Sequence, residues 1–117
     1  NMMMACMYAG LAFSNTQTAI AHAISYYVTA HKSVPHGLAC SFTLPILIDN
    51  IAGKYNFVDD SLIEIFGELS SDKLRGLLKE LNVSTEFVDY DIDEKELIIL
   101  KNSLQNNKRA MNSLVSI

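Results

Sequence analysis

Of the first fifty residues only Lys32 and Asp49 carry charge, while the other twenty of the twenty-two charged side chains lie between Ile51 and Ile117. A segment that poor in charge offers no polar face to water. Met2 to Ala12 and Thr16 to Val28 are apolar on every side, the pattern of helices enclosed by other elements rather than laid on a surface. No stretch keeps up the apolar–polar alternation of a half-buried strand, so the reading is all-α. At 117 residues the chain fits one domain. Because it opens on "NMMMACMYAGLAF" without a polar lead-in, we expect residues 1–117 to form one domain of a larger protein.

The remaining elements follow from local signals. Ser14 and Asn15 in "FSNT" are side chains that accept from free helix amides, and predict the start of a second helix there. Pro35 suits a first helical position, which predicts a third helix running through "HGLACSFT" to a kink at Pro45. Further on, "DDSLIEIFGEL" predicts a short helix. In "SSDKLRGLLKELN", Leu74, Leu77, Leu78 and Leu81 recur at helical spacing behind a serine cap. Asp91 with Glu94 resembles a capping box ahead of Leu97, Ile98, Leu100 and Leu104. "NNKRAMNSLVSI" is read as a terminal helix or a tail. Cys6 and Cys40 sit in apolar segments and are expected to be buried thiols of a reducing compartment.

Several functions are disfavoured by composition. The formal charge of −4 and only nine Lys and Arg, thinly spread, argue against nucleic acid as a partner. The longest apolar run, Met2 to Phe13, is twelve residues, short of the roughly 18–20 that a membrane span needs. Nothing resembles the basic start and small-residue cleavage site of a signal peptide.

All three histidines fall in "AHAISYYVTAHKSVPHG", Ala21 to Gly37. One histidine on an apolar helix is commonly a core residue with bonded ring nitrogens. Two that can meet are another matter. A helix from His22 to His31 carries the chain about 13 Å away, and five extended residues can return up to about 17 Å. His22 and His36 are therefore candidate metal ligands, whose nitrogens must approach within roughly 4 Å for bonds of about 2.1 Å. His31, more than two turns from His22, is read as a solvent-side or cap residue. Two histidines leave a site incomplete, since a catalytic metal takes three or more protein ligands.

The stretch "AGLAFSNTQTAIAHAISYYVTAHKSVPHGLACSFTLP", Ala9 to Pro45, resembles the signature region of the iron-containing alcohol dehydrogenases. There an "AG-x-A-F-S-N" entry is followed by a histidine and, fourteen residues on, by the histidine of "P-H-G"; His22 and His36 keep that spacing. The resemblance implies the helical C-terminal domain of a two-domain dehydrogenase, with the metal in the cleft facing an N-terminal dinucleotide-binding domain. It implies His22 and His36 as metal ligands, two further ligands upstream of Asn1, and Phe13 in the nicotinamide and substrate pocket. Tyr26 stands where many members have a second histidine, H-x-x-x-H, beside that pocket. The implied cofactors are Fe²⁺ or Zn²⁺ and NAD or NADP, and the implied substrate is a small alcohol or aldehyde.

"SYYVTAHKSVPHGLACSFTLP" is closer to the phosphonoacetaldehyde-reductase-like branch, in which case Lys32 could meet an anionic substrate. A solvated turn lysine is the simpler reading of that residue. Two alternatives stand beside these: a metal-independent enzyme similar to the maleylacetate reductases, and a helical interaction module without chemistry. A cytoplasmic enzyme is implied. The apolar face of Met2 to Phe13 leads us to expect its own N-terminal domain, or a second copy in a homo-oligomer, as partner.

Overall fold

The computed structural model describes residues 1–117 and contains helices and no strand. In chain order they are α1 (Met2–Phe13), α2 (Ile20–Lys32), α3 (His36–Ser41), α4 (Leu44–Ile51), α5 (Asn56–Phe66), α6 (Asp72–Glu80) and α7 (Glu94–Leu104). Two 3₁₀ turns, Phe87–Tyr90 and Ala110–Asn112, flank α7. No helix is long and apolar enough to cross a membrane.

The core forms around α2. Ile20, Ala23, Ile24 and Val28 recur at helical spacing and present one buried face, against which Ala39 of α3, Phe42, Ile92, and Leu100 and Leu104 of α7 are packed. Phe42 is wholly buried, its ring 4.4 Å from that of Tyr90 and 5.2 Å, edge-on, from that of Phe87. Buried aromatics in these orientations supply area and a directional term together. The 3₁₀ turn Phe87–Tyr90 is thereby fastened to the end of α3. The aromatic cluster fixes the position of α3, and so of the residues α3 carries.

A smaller contact joins α4 to α6. The Asp49 carboxylate accepts from the Ser71 amide and hydroxyl and from Arg75, whose Nη2 lies 2.9 Å away. Burial pushes the Asp49 carboxyl up, but the Arg75 and Ser71 hydrogen bonds outweigh it and hold it below the usual carboxylate range.

Several local expectations are corrected. Helix α1 buries no residue at all, with Met2 80 % and Met3 77 % exposed, so the chargeless start is not interior within this chain. Ser14 and Asn15 close α1 rather than open α2: both side chains donate back to the Leu11 carbonyl. The next helix begins only at Ile20, with Ala19 as an N-cap that lacks a side-chain acceptor. Pro45 does not kink one long helix. It falls in the first turn of α4, where its missing amide is tolerated, and the chain breaks at Phe42–Thr43 instead. Pro35 is the residue before α3, not its first.

The cap of α7 is Asp93, which accepts from the Glu96 amide, whereas Asp91 takes a left-handed conformation just before it. Ser71 does occupy the N-cap of α6, but its hydroxyl is spent on Asp49. Of the leucines and isoleucines expected inside, Leu77, Leu81 and Ile98 are exposed. Cys6 is exposed and Cys40 half-buried, both as free thiols.

Candidate metal centre

The site is made by a chain reversal. Helix α2 ends at Lys32, Ser33 adopts a left-handed conformation (φ 56°) and Pro35 an extended one, which turns the backbone so that α3 packs across α2. His22, in the first turn of α2, then faces His36, the first residue of α3. Their ring centroids are 5.4 Å apart with the planes at 71°.

Each ring has a distinct setting. The buried Ser25 hydroxyl, one turn along α2, donates to the His22 carbonyl at 2.8 Å and lies 3.4 Å from Nδ1 of His36. A hydroxyl has one proton to give, so toward His36 it accepts, which assigns the hydrogen to Nδ1 and leaves the Nε2 lone pair free. Burial first, then the charges of His36 and Arg109, hold His22 below the ordinary imidazole value and favour its neutral form. A neutral ring with a free nitrogen is what a metal requires.

A third possible donor, not anticipated, stands beside the pair. Cys40 lies one turn after His36 on α3, and its Sγ is 3.6 Å from the His36 Nε2. Ligand atoms of His22, His36 and Cys40 all lie within 4.8 Å of one another. Imidazole nitrogen and thiolate sulfur are both donors that a divalent ion accepts. The signal in the sequence is the i, i+4 spacing of His36 and Cys40, which puts both on one helix face.

Around these donors stand the other residues singled out. Phe13, at the end of α1, stacks on His22 with centroids 6.4 Å apart, and the Tyr26 ring lies 5.6 Å from that of His36. Both are about half exposed, Phe13 55 % and Tyr26 48 %, so they form the open rim of the site rather than its floor. His31 points elsewhere, its ring against Tyr27 at 4.4 Å.

Lys32 is not available to a substrate. Its ammonium is held by both oxygens of Glu96, at 2.8 and 2.7 Å, and this bond holds its pKa above the ordinary lysine value. The cation beside the site is Arg109, unremarked in the sequence, whose guanidinium carbon sits 4.8 Å from the Tyr26 ring centroid. It arrives from the far end of the chain because the terminal segment folds back on α2, where Asn112 donates to the Thr18 carbonyl at 3.0 Å. Arg109 forms no ion pair; the two in the molecule are Lys32–Glu96 and Arg75–Asp49. A surface cavity of about 820 Å³ lies apart from this chemistry, with no histidine, cysteine, aspartate or glutamate in its lining.

Comparison with known proteins gives the family. Residues 1–113 match the Fe-containing alcohol dehydrogenase family, C-terminal. A curated relative, the sulfoacetaldehyde reductase of Bilophila wadsworthia (strain 3_1_6), is 32% identical over 130 aligned residues, which cover 93% of this chain and 34% of that protein. The chain thus spans about a third of the length of the relative it matches. No solved structure matches.

Proposed function

The chain belongs to the Fe-containing alcohol dehydrogenase family, as its C-terminal domain, and from that premise we propose that it is the helical, metal-binding part of an NAD(P)-dependent enzyme interconverting an alcohol and an aldehyde. The observation that carries this reading is the pair His22 and His36, ring centroids 5.4 Å apart, with His22 held toward its neutral form. Between them they would hold Fe²⁺ or Zn²⁺. Such an ion supplies Lewis-acid polarisation of the substrate oxygen, while the nicotinamide exchanges hydride with the substrate carbon.

The chain's own residues have the supporting roles. Ser25 orients the His36 ring through Nδ1. Phe13 and Tyr26 form the open rim against which substrate and nicotinamide would lie. The dinucleotide would be held by a preceding domain of the same polypeptide, and the remaining metal ligands would come from the part of the helical domain upstream of Asn1. That domain would also cover α1, whose apolar residues lie exposed next to the Phe13 rim.

Within this reading the substrate is a small aldehyde with an anionic head. Arg109 supports it: an unpaired guanidinium on the Tyr26 ring, beside the two histidines. The name of the curated relative, a sulfoacetaldehyde reductase, points to the same chemistry. A polypeptide extended to include the dinucleotide domain should oxidise NADH or NADPH with sulfonated or phosphonated aldehydes, and lose that activity on chelation or in His36→Ala. Arg109→Ala should raise KM for the anionic aldehydes about tenfold or more and leave uncharged ones unchanged. Full activity of a metal-free preparation would favour the metal-independent enzyme, and no nicotinamide turnover with any aldehyde would favour a non-catalytic module.

A further inference from the structure

We propose that Asn107 and Asn112 are positioning residues of substrate selectivity: they aim Arg109 from the terminal turn at the histidine-bearing face of α2, and so set how strongly aldehydes with an anionic head are preferred. This rests on the reading of Arg109 as the cation that meets that head, and adds what holds it there.

Arg109 comes late in the chain and has no charged partner to fix it. Its guanidinium lies 4.8 Å from the Tyr26 ring centroid, and Tyr26 is one turn along α2 from His22, on the same face. A guanidinium on a long, rotamer-rich stem keeps such a place only if the backbone beneath it is fixed. Packing contributes little to that. Ala110 rests against the core, but Met111 is 71 % exposed, and both line the surface cavity of about 820 Å³.

Hydrogen bonds from two asparagines supply the rest. Asn107 Oδ1 accepts from the amides of Arg109 and Ala110, at 2.9 and 3.2 Å, which sets the backbone of Arg109 itself. The Asn112 side-chain amide donates to the Thr18 carbonyl at 3.0 Å, across ninety-four residues. Thr18 stands four residues before His22, at the lead-in to α2, so this bond ties the turn to the helix end that carries His22. The Asn112 backbone amide also donates to the Arg109 carbonyl at 3.1 Å. At three residues per turn, positions i and i+3 fall on one side. The side chain that grips α2 and the side chain that lies on it therefore leave the 3₁₀ turn in the same direction.

Selectivity follows from order. An anion gains more from a guanidinium already in place than from one that must first be immobilised. Released from the turn, Arg109 would keep its charge but lose that advantage, and an uncharged aldehyde would be unaffected.

Steady-state kinetics of the polypeptide extended to include the dinucleotide domain tests this, with a sulfonated aldehyde beside an uncharged one of similar size. Asn112→Ala and Asn107→Ala should each raise KM for the sulfonated aldehyde about threefold, the lower range for a net hydrogen bond because these bonds are exposed. Values of kcat, and both constants for the uncharged aldehyde, should stay those of the parent. Asn107→Ser, which keeps an acceptor for the two amides, should retain the parent KM. In an Arg109→Ala background, Asn112→Ala should change nothing further, because the group it aims is gone. Equal losses for both aldehydes, or an Asn112→Ala effect that persists without Arg109, would overturn the positioning role and leave Arg109 as the specificity cation. If Arg109→Ala itself leaves KM for the sulfonated aldehyde unchanged, the reading of Arg109 and this proposal fall together.

Discussion

Replacing Ser25 with alanine removes one atom, and that atom decides which nitrogen of His36 faces the metal position. Its hydroxyl bonds the His22 carbonyl at 2.8 Å and meets His36 Nδ1 at 3.4 Å, longer than the 2.7–3.2 Å of a strong bond. Groups that orient a metal-binding histidine through its second nitrogen are worth about 10–100-fold in metal affinity. The long contact argues for the lower end, about tenfold, or about 1.4 kcal/mol. Stability should move little. The lost hydrogen bond costs about 0.5–1.5 kcal/mol net, and the higher helix propensity of alanine inside α2 returns about 0.5 kcal/mol. Zn²⁺ affinity measured by competition with a chromophoric chelator, beside urea midpoints of the metal-free chain, separates the two effects. A change in affinity below twofold, or a fall in stability large enough to account for the lost affinity, would refute the positioning role.

Three further outcomes are expected. Phe42→Ala should lower stability by about 3–5 kcal/mol, since the ring is fully buried between Phe87 and Tyr90, and should loosen α3 and weaken metal binding with it; urea unfolding and Zn²⁺ titration check both. Asp49 is held below the usual carboxylate range, so its contribution is present above that range and is lost as pH falls through the lowered value. Asp49→Asn should therefore be less stable than the parent at pH 7, by no more than about 1 kcal/mol given the exposed pair, and the gap should shrink as pH falls below the ordinary carboxylate range when unfolding is compared across pH. The uncovered α1, apolar and exposed throughout, should drive the isolated chain to self-associate. Sedimentation equilibrium should show dimers or larger species that Met3→Glu with Met7→Glu reduces to monomer.

The helical class, the approximate run of most helices and the pairing of His22 with His36 were all legible in the chain. Helical periodicity is a local property, and the reach of a short return loop bounds how far apart two flanking residues can lie. The charge desert was legible too, but its meaning was not. An apolar helix must be covered by something, and sequence does not say whether the cover is in the same domain; α2 is covered by α3 and α7, while α1 is covered by nothing in these 117 residues.

Cap positions slipped for a related reason. Ser14, Asn15 and Ser71 are each able to accept from an amide or donate to a carbonyl or carboxylate, and the choice depends on which partner the packed chain brings near. Charge pairing was settled at still longer range. Lys32 is neutralised by Glu96, sixty-four residues away, and Arg109 reaches Tyr26 only because the terminal turn docks on α2. Cys40 was one helical turn from a recognised histidine all along. What only the packing of α3 across α2 decides is that His22 joins them, bringing ligand atoms of all three within 4.8 Å of one another, because donors on different helices meet only where those helices cross.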